Sequence, residues 1–276
     1  MNLQSTRTQC ALGFIGAGKL AGSVIRGLLL NNFCPPDQII ASQPIDDLRA
    51  ELQAETGIRV TTSNAEVVAA ADTILIGVKP TVVLPVIKET APAIRDKLVI
   101  SLAAGIRLSS MEELADARFL RVMTNTPSAI GRGASALAPG ARSTAEDIAC
   151  AAGIFGAIGV VVRLTDGEID AVTALAGSGP AFVYSVIEAL AAGGVKTGLP
   201  GDVALRLATQ TVLGASQLAA ESGSSPEELR RMVITPGGTT AAGLAAMETH
   251  RTAEGLIAAV EAAADRGREM AQPSAS

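Results

Sequence analysis

Aromatic residues, histidine and cysteine are all scarce in this sequence, and each shortage excludes a kind of core or site. The chain has no Trp, one Tyr and five Phe among 276 residues. Its core must therefore be aliphatic, which is typical of helices packed on a parallel sheet. The single histidine, His250, has no ligand pattern beside it, so we expect no metal site. Three cysteines, Cys10, Cys34 and Cys150, form no CxxC pair, which indicates reduced thiols in the cytoplasm.

The sequence also lacks a surplus of basic residues and an apolar leader. A formal net charge of −5 offers no basic footprint for nucleic acid. The first ten residues, MNLQSTRTQC, have no apolar core of the kind found in a signal peptide. The longest uncharged run, residues 171–187, contains Gly and Pro and is shorter than the ~20 residues of a typical spanning helix. We therefore expect a cytoplasmic protein that binds neither nucleic acid nor a membrane.

A strand, a glycine turn and a helix follow one another over residues 11–30. Gly16 allows a sharp turn, and Gly18 lets a pyrophosphate approach the backbone amides. The third small position is filled by Ala21, where the helix must pack closely on the strand. The positive end of the helix dipole faces the same place. The pattern predicts a dinucleotide site, and the alternative is a tight turn that binds nothing.

Strand-like and helix-like patterns alternate along the first part of the chain. Predicted strands cover residues 11–15, 38–41, 58–61, 73–78, 97–102, 119–123 and 160–164, and predicted helices cover 45–56, 64–71, 82–90, 109–115 and 145–158. This alternation predicts an α/β fold with a doubly wound, mainly parallel sheet. After Leu164 only helical patterns remain. We therefore expect a nucleotide-binding domain at 1–164 and a helical domain at 165–276.

The predicted second strand ends without an acidic residue, which bears on the choice of nucleotide. Ser42 stands there, and the next acid is Asp46. A carboxylate would bind the ribose hydroxyls of NADH, whereas a serine can donate a hydrogen bond to a 2′-phosphate and does not repel it. The pattern favours NADPH without excluding NADH. The alternative is that Ser42 only caps a turn.

Three further loops are predicted at the same edge of the sheet, because ligands of open α/β sheets bind at the carboxyl ends of the strands. Lys79, in the loop Val78-Lys79-Pro80, is a candidate base or phosphate partner, or it only caps the loop. The small residues Ala103, Ala104 and Gly105 would let a nicotinamide ribose lie against the backbone. Asn64 is a candidate adenosine contact, and it is equally a candidate N-cap.

Three clusters rich in Gly, Ser, Thr and Pro occur in and just before the helical part. They are Asn125-Thr126-Pro127, Gly177-Ser178-Gly179-Pro180 and residues 235–240, TPGGTT. Two of them are predicted to open helices, whose amides can hold a carboxylate. Taken singly, each can be a turn or a cap. Together they indicate an anionic substrate held by N–H and hydroxyl donors.

At these segments the sequence resembles the pyrroline-5-carboxylate reductases. The matching segments are GFIGAGKLA, VKP, SLAAG, MTNTPS, DAVTALAGSGPAFVYSVIEALAAGGVKTGLP and ITPGGTTAAGL, which span residues 13–244. GSGPA and TPGGTT together are highly specific, whereas the glycine turn alone is not. The resemblance implies NAD(P)H-dependent reduction of 1-pyrroline-5-carboxylate to L-proline, the last step of proline biosynthesis. It also implies a Rossmann-type domain and a helical domain that forms an intertwined homodimer, with a decamer of dimers as a further assembly.

By position, the resemblance implies both halves of the site. The cofactor would contact Gly16, Gly18, Lys19, Leu20, Ser42, Asn64, Val78, Lys79, Pro80, Ala103, Ala104 and Gly105. The substrate would contact Met123, Asn125, Thr126, Pro127, Ser178, Thr235, Gly238, Thr239 and Thr240. Thr240 would be the catalytic residue, with its hydroxyl near the imine nitrogen, and the alternative is an N-cap hydroxyl. Two departures stand out: Lys19-Leu20 replaces a frequent Asn-Met, and Thr235 replaces a frequent Ser.

Two other functions fit parts of the sequence. A β-hydroxyacid dehydrogenase shares the glycine turn, but its chemistry needs a lysine early in the helix after its glycine motif. Here that helix begins AFVYS, and Lys196 lies far along it. A nucleotide-sensing binding protein without turnover is the other alternative. The many hydroxyl and glycine motifs near the nicotinamide end argue against it.

Overall fold

The computed structural model describes residues 12–271, and its centre is an eight-stranded sheet. The strands are β1 (Leu12–Ile15), β2 (Ile39–Ser42), β3 (Arg59–Thr61), β4 (Thr73–Ile76), β5 (Leu98–Ser101), β6 (Arg118–Met123), β7 (Gly133–Pro139) and β8 (Gly159–Arg163). Their order is β3-β2-β1-β4-β5-β6-β7-β8. All pairs from β3 to β6 are parallel, and β7 is antiparallel to β6 and parallel to β8. The predicted, mainly parallel sheet is confirmed.

β7 is the strand that the sequence patterns do not predict. Its residues, GASALAP, are mostly small, and Gly, Ala and Pro all have low strand propensity. The strand forms because β6 and β8 flank it, with Leu137 paired to Val122 on one side and to Arg163 on the other. Tertiary pairing here overrides a weak local preference.

Helices alternate with the strands and pack on both faces of the sheet, and further helices follow β8. The helices between strands are α1 (Lys19–Leu30), α2 (Asp46–Thr56), α3 (Asn64–Ala70), α4 (Pro80–Thr90), α5 (Leu108–Glu112) and α6 (Ala145–Gly156). The later helices are α7 (Ile169–Val172), α8 (Gly179–Lys196), α9 (Gly201–Glu221), α10 (Pro226–Met232), α11 (Thr239–Thr249) and α12 (Thr252–Ala271). Among the described residues no strand follows β8, as predicted.

Alternate residues of the strands divide the core into two layers, one on each face of the sheet. Phe14 and Leu75 pack with α1, α2 and α6, whereas Ile15 and Ile74 pack with α3, α4 and α5. These strand side chains are almost fully buried. Burial on both faces explains why β1 and β4 are continuous apolar runs without polar alternation.

The chain divides into two compact units between Ser178 and Gly179. Within the described part, one unit holds residues 12–178 with 263–271, and the other is Gly179–Ala262. This division reflects the packing of the chain, and the boundary expected after Leu164 stays a prediction. A buried cation on β6 contacts the residues just after that boundary: Arg121 Nη1 lies 3.0 Å from Asp166 Oδ1, and its Nη2 lies 2.6 Å from Asp170 Oδ1. These ion pairs attach the first helical residues to the sheet.

One long apolar helical stretch, Asp166–Lys196, has the length and composition of a membrane span. Only 6% of its 18 most apolar consecutive residues are buried within the chain. Within it, Leu175 is 65% exposed and Tyr184 is 56% exposed. A single such stretch is weak evidence for a membrane, because a helix that packs against a partner subunit has the same composition. An exposed apolar surface of this kind marks a site of interaction with another molecule.

Candidate cofactor and substrate site

The glycine turn after β1 has the geometry of a pyrophosphate cradle. Gly16 adopts φ +84°, and a Cβ there would lie 2.4 Å from Val78 Cγ1, so only glycine fits. At Gly18, by contrast, the space beside the backbone is open, because a Cβ there would meet no atom within 4 Å. No side chain caps the N-terminus of α1, whose first turn carries no acidic residue. The residues present therefore fit a dinucleotide, with the amide groups of α1 facing open space.

The end of β2 forms a hydrogen-bonded link between the glycine turn and α3. Ser42 is 2% exposed, and its hydroxyl accepts a hydrogen bond from Gly16 N at 3.2 Å and donates to Asn64 Oδ1 at 2.8 Å. The hydroxyl proton of Ser42 is therefore engaged in a hydrogen bond within the protein. Direct donation from Ser42 to a 2′-phosphate, expected from the sequence, conflicts with this arrangement. Asn64 is the first residue of α3, but the cap is Ser63 Oγ, which accepts from Glu66 N.

A cation that the sequence reasoning missed lies at the same strand end. Arg49 Nη1 donates to the carbonyl oxygen of Gln43 at 3.0 Å, and Nη2 donates to Asp46 Oδ1 at 2.8 Å. Gln43 follows β2 directly and donates from Nε2 to Ala17 O at 3.0 Å. Arg49 stands seven residues after Ser42, so nothing local in the sequence connects it to the strand end. The only available signal was the position of a helical arginine one turn after an acidic N-terminus.

The loops after β4 and β5 lie at the same carboxyl edge, since β1, β4 and β5 are adjacent and parallel. Val78 touches the glycine turn, and Lys79 is the exposed N-cap residue of α4, which begins at Pro80. Ala103 is buried beside Ser101 Oγ, and Gly105 turns with φ +73°. The structure thus brings the cofactor candidates together along neighbouring strand ends. Lys19 is exposed at the start of α1, and Leu20 beside it is half-buried.

Asn125 is a structural link as well as a predicted substrate residue. Its Nδ2 donates to Ala176 O at 3.0 Å, and its Oδ1 accepts from Ala134 N at 3.1 Å. It is 8% exposed. The amide thus joins the end of β6 to β7 and to the segment just before Ser178. Its neighbours Thr126 and Pro127 open a short 3-10 helix, Thr126–Ile130, and Met123 ends β6.

The segment before Ser178 is helical, which corrects one expectation. A π-helix spans Thr173–Gly177 and leads directly into α8, and Ser178 N donates to Thr173 O at 2.9 Å. The Ser178 amide is therefore occupied and is not a free N–H group at a helix start. The Ser178 hydroxyl also points back to Thr173 O, at 3.4 Å. π-helical turns are frequent at functional sites, and here the turn lies against Met123, whose Sδ would be 3.4 Å from a Cβ on Gly177.

In the second unit, the TPGGTT segment forms an uncapped helix N-terminus. Gly237 has φ +73°, and Gly238 N donates to Thr235 O at 3.0 Å. Gly238 is the N-cap residue of α11 and supplies no side chain. Thr239 and Thr240 are the first two helical residues. Within residues 12–271 the Thr240 hydroxyl makes no hydrogen bond, so the capping alternative does not describe it.

The predicted substrate residues therefore fall into two groups. Met123, Asn125, Thr126, Pro127 and Ser178 belong to the first unit, and Thr235, Gly238, Thr239 and Thr240 belong to the second. Each group is assembled within its own unit. The first carries packed, hydrogen-bonded polar groups, whereas the second presents unpaired amides and hydroxyls at the start of α11.

Comparisons with known proteins connect both parts of the chain to one family. A family model described as pyrroline-5-carboxylate reductase dimerisation matches residues 166–270, and one described as NADP oxidoreductase coenzyme F420-dependent matches residues 11–105. The chain is 44% identical over 261 residues to the pyrroline-5-carboxylate reductase of Pisum sativum, covering 94% of this chain and 95% of the relative.

Two solved structures are similar over nearly the whole chain. The Plasmodium falciparum pyrroline carboxylate reductase with NADP bound has a TM-score of 0.87 at 28% identity, covering 95% of this chain and 98% of the other. A pyrroline-5-carboxylate reductase from Coxiella burnetii has a TM-score of 0.88 at 31% identity, covering 96% and 100%. With the glycine turn and the TPGGTT helix start in one chain, these matches show that the protein belongs to the pyrroline-5-carboxylate reductase family.

Proposed function

We propose that this chain reduces 1-pyrroline-5-carboxylate to L-proline with NADPH, or less effectively with NADH, in the last step of proline biosynthesis. The observation that carries the proposal is the uncapped start of α11, where Thr240 offers an unpaired hydroxyl. The uncapped start of α1 and the open space at Gly18 provide the matching place for the cofactor pyrophosphate. Similarity to reductases over more than nine-tenths of the chain supports the assignment.

The reaction needs alignment and one positioned hydrogen bond more than it needs a strong acid. When bound, NADPH would supply a hydride to the C5 carbon of the cyclic imine, and a proton from solvent would complete the amine at the ring nitrogen. The Thr240 hydroxyl hydrogen-bonds the ring nitrogen as the C=N bond becomes an amine. The free amides at the start of α11, with the hydroxyls of Thr235 and Thr239, hold the substrate carboxylate. Holding donor and acceptor in this geometry supplies much of the rate enhancement.

The other proposed contacts follow from position in the fold. The loops after β4 and β5 would flank the nicotinamide half of the cofactor, and Lys19 would add a phosphate contact. Asn125 would act mainly by holding the π-helix before Ser178 through Ala176. The rival lysine-dependent dehydrogenase chemistry is not favoured, because α8 carries its Lys196 at the last residue of the helix.

The assembly we propose is a cytoplasmic homodimer formed through the helical part, residues 165–276, with residues 1–164 as the nucleotide-binding part. The exposed apolar side chains of α8 and α9, among them Leu190 and Leu213, would be covered by a second copy rather than by lipid or nucleic acid. A decamer of dimers is the larger form proposed. Light scattering should give at least twice the chain mass, and a monomer at assay concentration would contradict the proposal.

The test of the chemical assignment compares isosteric changes at two threonines of one helix. Thr240→Val removes the hydroxyl and should lower kcat/KM for pyrroline-5-carboxylate roughly 10²-fold, because one positioned donor is lost. The melting temperature should stay near the wild-type value, since this hydroxyl makes no hydrogen bond to any of the described residues 12–271. Thr240→Ser should keep most of the activity.

Thr249→Val is the matched control at the other end of α11. Its hydroxyl donates to Ala245 O, within the helix, so kcat/KM should not change. A Thr240→Val variant with wild-type kcat/KM, or one that only melts earlier, would show that Thr240 has no chemical role.

A further inference from the structure

Arg49 carries a positive charge to the strand end where this fold distinguishes NADPH from NADH. The guanidinium is held there by its 3.0 Å hydrogen bond to the carbonyl of Gln43, the residue that follows β2. Gln43 in turn bonds Ala17 in the glycine turn. In Rossmann-type folds an acid near the end of the second strand binds the ribose hydroxyls of NAD, and a nearby arginine accommodates the 2′-phosphate of NADP.

The other candidate groups do not fit this task. The Ser42 hydroxyl donates its hydrogen bond to Asn64 Oδ1. Lys79 follows β4, which lies on the opposite side of β1 from β2. Lys19 begins α1 directly after the glycine turn, where the pyrophosphate is expected. Arg59 is the first residue of β3 and lies at the amino end of the sheet. Among residues 12–271, Arg49 is the cation that is hydrogen-bonded to the residue directly after β2.

Asp46 forms an ion pair with Arg49 in the structure, and this pair lies at the surface. The two groups lie 2.8 Å apart, with Asp46 86% exposed and Arg49 23% exposed. Exposed ion pairs of this kind contribute little to stability. A phosphate accepts two parallel hydrogen bonds from a guanidinium and carries more charge than a carboxylate. A phosphate can therefore displace Asp46 while the bond to Gln43 keeps the guanidinium in place.

We infer that Arg49 binds the 2′-phosphate of NADPH and is the residue of this chain that makes it prefer NADPH to NADH. Asp46 holds the guanidinium in the absence of the phosphate and is displaced by it. This inference rests on the proposed use of a nicotinamide dinucleotide, and it assigns a role to a residue outside the segments that resemble the family.

The test is a comparison of dissociation constants, measured from the fluorescence of the reduced nicotinamide without any substrate. Arg49→Gln should raise the Kd for NADPH about tenfold or more, because hydrogen bonds to a charged group are lost. The Kd for NADH should stay within about twofold. Arg49→Lys keeps the charge but not the bidentate geometry, so its Kd for NADPH should lie between those of the wild type and Arg49→Gln.

Two further variants separate the phosphate contact from general effects of charge. Asp46→Asn removes the competing carboxylate and should tighten NADPH binding while leaving NADH unchanged. Arg95→Gln removes a cation that pairs with Asp116 and stands before β5, at the amino end of the sheet, so both constants should stay at wild-type values.

An unchanged Kd for NADPH in Arg49→Gln would overturn the inference, as would an equal loss for both cofactors. A loss of NADH binding in Asp46→Asn would assign Asp46 to the ribose hydroxyls and overturn it as well. Wild-type protein that binds neither cofactor would instead contradict the proposed function. The two failures are therefore distinguishable.

Discussion

Replacing Arg121 by Met should destabilise the first unit strongly, because it leaves a buried carboxylate behind. Arg121 is 1% exposed and pairs with Asp166 and Asp170, whose side chains are 24% and 6% exposed. Water can reach Asp166 after the change, so most of the penalty comes from Asp170. Arg107 Nη2 stays 2.9 Å from Asp170 Oδ2, although that oxygen receives no aligned hydrogen bond.

The magnitude follows from this partial compensation. Breaking a buried ion pair by removing one partner costs about 3–5 kcal/mol. With Arg107 retained we expect the lower end, about 3 kcal/mol. For a chain of this size the melting temperature should fall by roughly 6–12 °C, at about 2–4 °C per kcal/mol. The assay is thermal unfolding at one fixed chain concentration, since association shifts the apparent stability.

Two variants make the Arg121 prediction refutable. Arg95→Met removes a guanidinium that is 68% exposed and should leave the melting temperature almost unchanged. Asp170→Leu added to Arg121→Met replaces the pair by apolar side chains and should recover most of the loss. A drop no larger than that of Arg95→Met, or a double variant no more stable than Arg121→Met, would refute the electrostatic account.

Two other predictions follow from the same unit. Burial raises the pKa of Asp147, but hydrogen bonds from Arg118 and Thr144 lower it by more than burial raises it. The pKa therefore lies below its usual value. The stability that this adds is present above the unfolded-state pKa of about 3.9 and is lost as the pH falls through the folded-state pKa. The difference in melting temperature between wild type and Asp147→Asn should therefore shrink in that window, and a constant difference would contradict it. A fragment of residues 1–164 lacks Asp166 and Asp170 and should melt below a fragment of residues 1–178. Neither fragment should reduce pyrroline-5-carboxylate. Equal melting temperatures would show that the ion pairs of Arg121 do not stabilise the first unit.

The sequence was most informative where a function is carried by backbone geometry. Gly16 marked the cradle because the turn allows hardly any other residue, and Gly18 marked it because a missing side chain leaves the backbone amides open to a pyrophosphate. The loops after β4 and β5 were located because parallel strands present their carboxyl ends at one edge. The start of α11 was found from TPGGTT for the same reason, since uncapped amides follow from local conformation alone.

Features that depend on long-range contacts were missed. β7 consists of small residues and exists because two flanking strands pair with it. Arg49 reaches Gln43 O only because a helix turns back over the strand end. The π-helix at Thr173–Gly177 could not be distinguished from a break, because Gly177 and Gly179 indicate an interruption in either case. The buried ion pairs of Arg121 hold Asp166 and Asp170 to β6, and no local sequence pattern indicates such a pair.

The most direct test of the central claim follows the hydride itself. The full-length protein is mixed with pyrroline-5-carboxylate and NADPH deuterated at nicotinamide C4 on either face, and the products are analysed by mass spectrometry. The account predicts loss of NADPH absorbance and proline that carries one deuterium at C5 for one of the two labelled faces. Absorbance loss without labelled proline for either face, or no proline at all, would contradict it.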